Sequence, residues 1–355
     1  MKVGLDATPL TEPTGGISRY TTELARSLVR TFPDDEYWLL SDQDYPRPEI
    51  PKLRSGAIPR TPLARRWWLF GLPREISRIG IGVFHGTGFS VPYIPACPSV
   101  LTLHDLSPWM NPDWHNAAGR VRQRTPMLLK LGLATLVLTP SKAIRRQAME
   151  QFHLSADRIV SVAHAASPLF RPVDAPPPDR PYFLYVGTLE PRKNLSLLVE
   201  AWRELRQNHD VDLVLAGRRR DGSPELAPEP GLRILGPVPD EDLPGLYSGC
   251  IACVYPSLYE GFGLPVLEAM QCGAAVITSL DPAIIETAGG AAIALDVHEP
   301  RRWVEAMTAL LANPAYRADF RARALQRAGE FSWAQTARET REVYAEAARR
   351  FRRRF

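Results

Sequence analysis

Short apolar, β-branched runs alternate with amphipathic helical stretches along the whole chain, and this alternation predicts parallel α/β sheets. In the first half the strands fall at 2–6, 37–40, 82–85, 100–104, 136–139 and 159–163. In the second half they fall at 183–186, 212–216, 233–235, 251–255, 275–278 and 292–294. Between the two sets stands Arg171-Pro172-Val173-Asp174-Ala175-Pro176-Pro177-Pro178-Asp179-Arg180-Pro181, which continues neither strand nor helix. It reads as a linker over 173–181, separating a domain at 1–172 from one at 182–333. The remaining stretch, 334–355, is helical in pattern and ends in Arg349-Arg350-Phe351-Arg352-Arg353-Arg354-Phe355, which reads as a solvated end. Two doubly wound domains of this kind are expected to face each other across a cleft, with ligands at the carboxyl ends of the strands.

Composition narrows the class. The 355 residues, 45% hydrophobic and 23% charged, suit two globular domains. No apolar run approaches the roughly 20 residues of a membrane span. The start, Met1-Lys2-Val3-Gly4-Leu5-Asp6, reads as a strand and not as a signal peptide. Cys97, Cys250, Cys253 and Cys272 are too few for a disulfide scaffold, and Cys250-Ile251-Ala252-Cys253 reads as buried core. A cytoplasmic protein is expected. Arginine so dominates the bases, 38 against 5 lysines, that a retained lysine is the more telling residue. Residues 1–175 hold 21 Lys and Arg against 15 Asp and Glu, and the remainder 22 against 24. The basic first half points to an anionic partner, a membrane surface foremost, and no nucleic acid is expected.

The run Tyr259-Glu260-Gly261-Phe262-Gly263-Leu264-Pro265-Val266-Leu267-Glu268-Ala269-Met270 carries the most chemistry. Pro265 suits the start of a helix, and Gly261 and Gly263 let the preceding backbone turn sharply beside a ligand. The free amides and positive dipole end of such a helix attract phosphate. Glu260 stands before the turn and Glu268 in the first turn of the helix. Two carboxylates around a phosphate-binding helix start suit a ligand with both phosphates and hydroxyls, as in a nucleotide sugar.

This run resembles the E-x7-E signature of the retaining family 4 glycosyltransferases, whose fold is the two-domain GT-B architecture. The resemblance implies that Glu260 approaches the donor sugar and that Glu268 accepts the ribose hydroxyls. The backbone of Gly261, Phe262, Gly263 and Leu264 would hold the diphosphate. Further matches follow the same order along the chain. Gly187-Thr188-Leu189-Glu190-Pro191-Arg192-Lys193-Asn194 resembles the loop whose cations grip the diphosphate, which assigns Lys193 and Arg192. Relatives often carry an arginine directly after the strand's glycine, where this chain has Thr188. His104, followed by Asp105 at a strand's carboxyl end, matches a histidine near the reacting carbon, with Asp105 orienting its surroundings. Gly15 and Gly16 match the glycine pair whose amides approach the diphosphate. Val238, after Gly236-Pro237, matches a contact to the base. The Asn-Gly that relatives often show before the linker is replaced by Ala163-His164-Ala165-Ala166. The GT-B resemblance also implies a last helix that returns to the first domain.

Residues 53–81 interleave Arg60, Arg65, Arg66, Arg74 and Arg78 with Trp67, Trp68 and Phe70. This is the pattern of an interfacial membrane segment, and equally of a buried amphipathic helix flanked by loop arginines. The Asp-x-Asp pairs, Asp42/Asp44 and Asp210/Asp212, do not resemble the metal site of the other glycosyltransferase fold, so neither metal nor cofactor is expected. There is no Gly-x-Ser-x-Gly and no His-Glu-x-x-His to support a hydrolase.

The reading is a metal-independent hexosyltransferase that uses a GDP- or UDP-linked sugar and a saccharide or lipid-linked acceptor. The wording of the 187–194 loop resembles bacterial mannosyltransferases of O-antigen and exopolysaccharide synthesis. A GT-B sugar-nucleotide epimerase and a non-catalytic nucleotide-sugar-binding scaffold share the same binding loops. Glu260→Gln is expected to lower transfer strongly while leaving the fold intact.

Overall fold

Each buried apolar run becomes a strand, and the amphipathic stretches between them become the covering helices of a computed structural model. It describes residues 1–12, 15–111, 114, 118–174, 178–220, 222–223 and 226–352. The described residues divide into two compact units, Met1–His164 with Ser332–Phe355, and Ala165–Phe331.

In the first unit the strands are β1 (Lys2–Asp6), β2 (Glu36–Leu40), β3 (Leu53–Ser55), β4 (Val83–Gly86), β5 (Ser99–Thr102), β6 (Leu136–Thr139) and β7 (Ile159–Ser161). They form a parallel sheet in the order β3-β2-β1-β4-β5-β6-β7. The covering helices are α1 (Gly16–Thr31), α2 (Leu72–Ile79), α3 (Ser107–Met110), α4 (Gly119–Lys130) and α5 (Lys142–Phe152).

The second unit contains β8 (Tyr182–Val186), β9 (Asp212–Ala216), β10 (Leu232–Gly236), β11 (Ala252–Tyr255), β12 (Val276–Ser279) and β13 (Ile293–Leu295). These are again parallel, in the order β10-β9-β8-β11-β12-β13. Its helices are α6 (Leu195–Arg206), α7 (Leu243–Gly249), α8 (Leu264–Gln271), α9 (Pro282–Ala288), α10 (Pro300–Ala312) and α11 (Pro314–Ala328). Strand order reverses between β1 and β4 in the first sheet and between β8 and β11 in the second. Such switch points open crevices at the strands' carboxyl ends.

The last helix, α12 (Trp333–Arg352), belongs to the first unit, as the GT-B resemblance implies. Tyr344 bonds His85 Nδ1 at 2.7 Å, Thr336 Oγ1 donates to Ala163 O at 2.7 Å, and Arg341 Nε reaches Asp35 Oδ2 at 2.6 Å. The end of the terminal Arg/Phe run, Arg353, Arg354 and Phe355, lies outside the described residues.

Two placements differ from the sequence reading, and a third decides between the alternatives it left open for residues 53–81. The boundary between units falls before the proline cluster, because Phe170 is fully buried in the second unit's core beside Tyr247. The Gln271 amide also donates to Ser167 O at 2.8 Å and Phe170 O at 2.6 Å, tying this segment to α8. Residues 53–81 open with edge strand β3, and Trp67 is buried with Leu40, Leu72, Ile76 and Phe84. Trp68 is half-buried under the Arg124 guanidinium at 5.2 Å, so the tryptophan pair is core, while Ile58, Leu63 and Phe70 of the same segment are exposed. Finally, α8 begins at Leu264, which puts Glu268 in its second turn, buried, one turn further in than expected.

Candidate active site

In the second unit, the loops after β8 and β11 flank the switch point and exchange ionic contacts. After β8 the chain passes Gly187 and runs beside the loop that follows β9. A Cβ on Gly217 would stand 1.9 Å from Gly187 O, so only glycine allows this approach. The chain then makes a single 3-10 turn, Pro191–Lys193, and ends it on Asn194 in the left-handed region, φ +53°. That turn aims two buried cations at the loop after β11.

Lys193 Nζ pairs with Glu260 Oε1 and donates to Tyr255 Oη at 2.8 Å. Arg192 Nη1 lies 3.4 Å from Glu260 Oε2 and donates to Tyr259 O at 2.6 Å, while its Nη2 donates to Glu190 Oε1 at 2.8 Å. Glu190 Oε2 accepts a further bond from Arg220 at 3.1 Å. Ser257 Oγ completes the set, donating to Glu260 Oε1 at 2.6 Å.

Burial drives the Glu260 carboxyl upward, but Lys193 and then Arg192 overcome it and hold it at about 2. With two cations around one carboxylate, Lys193 is over-supplied with positive neighbours. Burial first, and Arg192 second, lower its pKa despite Glu260 and Glu190. The result is an ionised carboxylate beside a lysine that is costly to keep charged until another anion arrives.

The loop from Glu260 leads directly into α8. Gly263 is its N-cap, with φ +88°, a conformation that favours glycine, and an added Cβ would meet Ile284 at 3.4 Å. No side chain caps this helix start. Pro265 has no N–H and the Val266 and Leu267 amides turn to Gly263 O at 3.0 and 3.2 Å, so in this first turn the Leu264 amide is the donor outside the helix's own bonds. Glu268 is buried, and its charge bears on the Cys253 and Cys272 thiols. Val238 does not join the ion network. It packs against the unit's core and lines a shallow apolar groove with Leu235, Tyr182 and Leu246.

The first unit presents different chemistry. His104, two residues past β5, bonds Thr87 O through Nε2 at 2.7 Å, and its ring meets Tyr20 edge-on at 4.9 Å. Packing around the ring lowers its pKa, against the Thr87 bond and Asp105. His164 sits 5.7 Å from His104 and 4.4 Å from Tyr20 and stacks on Trp333, centroids 6.1 Å apart. Asp105 Oδ1 accepts the Ser107 amide at 2.9 Å and the Ser107 hydroxyl, so it fixes the start of α3. Gly15 is the N-cap of α1, and neither it nor Gly16 has a heavy atom within 4 Å of where a Cβ would stand. Their neighbour Thr14 lies outside the described residues.

Residues 14–168 match the family described as Glycosyltransferase Family 4, and residues 167–327 match Glycosyl transferases group 1. The chain is 31% identical to O-antigen chain mannosyltransferase B of Escherichia coli, over 97% of this chain and 99% of that protein. The chain belongs to the family 4 glycosyltransferases. Its fold is GT-B, as in sucrose-phosphate synthase from Thermosynechococcus elongatus (TM-score 0.74, 21% identity, 98% of both chains). HepE of Anabaena, solved with UDP-glucose, is similar in fold as well (TM-score 0.71, 15% identity, 98% of this chain and 100% of that one).

This glycosyltransferase thus brings Lys193, Arg192 and Glu260 together in one unit and places His104, Asp105, Gly15 and Gly16 in the other. Sequence reasoning missed Glu190, Tyr255, Ser257 and Asp281 around Glu260, and His164 beside His104. Glu190 stands in the same short run as Lys193, so its signal was available. For Asp281 the signal was an Asp-Pro pair opening a helix.

Proposed function

We propose that this glycosyltransferase is a retaining, metal-independent hexosyltransferase. It moves mannose from a nucleoside diphosphate sugar to a saccharide or lipid-linked saccharide during cell-surface polysaccharide synthesis. The observation that carries the reading is the buried Lys193–Glu260 pair beside the uncapped start of α8. A diphosphate arriving there gives Lys193 a new anion and releases Glu260 towards sugar hydroxyls. Relatedness to an O-antigen mannosyltransferase supports mannose and a polysaccharide product. A nucleotide-sugar complex within the same fold supports the donor class.

The reaction is a front-face displacement. The acceptor oxygen bonds to the anomeric carbon on the face from which the diphosphate leaves, the carbon–phosphate-oxygen bond breaks, and the acceptor proton passes to the departing phosphate oxygen. Lys193, Arg192 and the amides of Gly261, Phe262, Gly263 and Leu264 take up the charge on the leaving group. Arg192 contributes mainly by holding Tyr259 O and Glu260 in place. Glu260 and His104 position the sugar, Asp105 secures the His104 loop, and Gly15 and Gly16 donate amides to the diphosphate. Glu268 takes the ribose and Val238 the base.

Among the described residues no helix is long and apolar enough to cross a membrane. Contact with an anionic membrane face is assigned to exposed Leu63 and Phe70 with Arg60, Arg65, Arg66 and Arg74. Product analysis with GDP-mannose and UDP-sugars tests the function, with and without acceptor and with chelator present. An α-linked mannoside formed from GDP-α-mannose is expected. An inverted linkage, or isomerised donor without transfer, contradicts the reading.

A further inference from the structure

The loop carrying Glu260 is fastened from behind by the next strand–helix unit of the chain. Asp281 is buried at the N-cap of α9, where its Oδ1 accepts the Ala283 and Ile284 amides, each at 3.0 Å. One carboxylate oxygen is enough for a helix cap. The second, Oδ2, accepts the Glu260 amide at 3.2 Å. Near the other end of α9, Thr287 Oγ1 donates to Phe262 O at 2.6 Å. Between them, Ile284 closes against Gly263. Just before Asp281, Ser279 Oγ donates to Ser257 O at 2.6 Å, and Ser257 in turn bonds the Glu260 carboxylate. Residues 257–263 are therefore held at their start, middle and end by one neighbouring strand–helix pair, β12 and α9.

This arrangement has a consequence for Glu260. Its carboxylate lies between two cations that both attract it, and side-chain contacts alone leave its backbone free to follow either. A bond to the main-chain N–H fixes the origin of the side chain whichever partner the carboxylate takes. We infer that Asp281 is a positioning residue for Glu260, with Thr287 holding the far end of the same loop. The inference rests on the donor-site reading of Glu260. Displacement of a reacting or positioning group by about 1 Å is enough to cost on the order of a hundredfold in rate.

Asp281→Asn separates the two jobs of this side chain. Its carbonyl oxygen still caps α9, whereas its NH2 faces the Glu260 amide and cannot accept from it. Amide exchange over 257–264 should rise about tenfold, the loss of roughly one buried hydrogen bond, while exchange over 282–289 stays near wild type. Turnover should fall by roughly ten- to a hundredfold, with affinity for free GDP or UDP held within about threefold. Thr287→Val, cut from the other end, should show the same pattern at lower amplitude.

Unchanged exchange at 257–264 in both variants overturns the inference, whatever happens to activity. Raised exchange with wild-type turnover overturns it too, because the loop would then be held for stability and not for transfer. A wild-type protein that transfers no sugar contradicts the donor-site reading alone, and the exchange comparison still decides what holds Glu260.

Discussion

In the first unit the residues gathered near the strand ends are neutral rings. His85, His104 and His164 pack around Tyr20 and Trp333, and burial drives their protons off, His85 to about 3. In the second unit the ends of the two switch-point strands hold ions: Glu190, Arg192, Lys193 and Glu260 within one buried network. Both sheets are parallel, both reverse their order at a switch point, and both carry a glycine at a helix start. The contrast lies in the side chains placed on that shared frame. A diphosphate suits the unit where cations and helix amides converge. An uncharged sugar suits the unit offering rings, carbonyls and hydroxyls.

The most damaging change to this contrast is Glu260→Gln. The sequence reading expected the fold to survive it intact, but the structure revises that expectation because Lys193 and Arg192 would face a neutral amide in a buried site. Removing one partner of such a set costs about 3–5 kcal/mol, and transfer should fall by about a hundredfold or more. Chemical denaturation and initial rates measure the two effects separately. His104→Ala should be milder, at about 1–3 kcal/mol for the lost bond and packing, with turnover reduced about tenfold and nucleoside diphosphate affinity unchanged.

Acid sharpens the comparison. A histidine whose folded pKa lies below its unfolded value of 6.5 binds fewer protons when folded, so its contribution to stability falls as pH drops below 6.5. For His85 the slope is about 1.4 kcal/mol per pH unit until about 3. His104 and His164 act in the same direction. Asp6, raised by burial to about 6, opposes them, since it binds its proton more readily folded than unfolded. In the second unit, Asp281 is raised to about 6 by burial first, so acidification towards pH 4 favours the folded form. Glu260, held at about 2, supplies stability above its unfolded value near 4.5 that is lost only as pH falls from there towards 2. Between pH 7.5 and 5, first-unit fragments should therefore appear at progressively lower urea in pulse proteolysis, while the second-unit midpoint holds and then rises below about pH 6 as Asp281 takes its proton. Parallel loss from both units would break the comparison. The smallest expected effect is that of a chelator, which should leave transfer rates within about twofold.

The central strands β4, β5, β6, β8, β9 and β11 were legible because they are buried on both faces and read as unbroken apolar runs. Strand β3 was not, since Leu53-Arg54-Ser55 sits at a sheet edge and contributes one apolar residue. Lys193, Glu260 and His104 could be singled out from short local motifs. Their partners could not, because the pairings Asp281–Glu260 and His164–Tyr20 join residues far apart in the chain through contacts that leave no periodic trace. The unit boundary was misplaced for a similar reason. Prolines mark where secondary structure stops, but Phe170 and Gln271 decide to which core the segment belongs.

The central claim is that the second unit binds the donor's diphosphate through Lys193 and the start of α8. Calorimetric titration of GDP, UDP and ADP, without added metal, against wild type, Lys193→Met and His104→Ala tests it most directly. The account predicts that one nucleotide binds wild type and His104→Ala alike, and binds Lys193→Met at least about tenfold more weakly. Equal affinity in Lys193→Met, or no binding of any nucleotide to wild type, would contradict it.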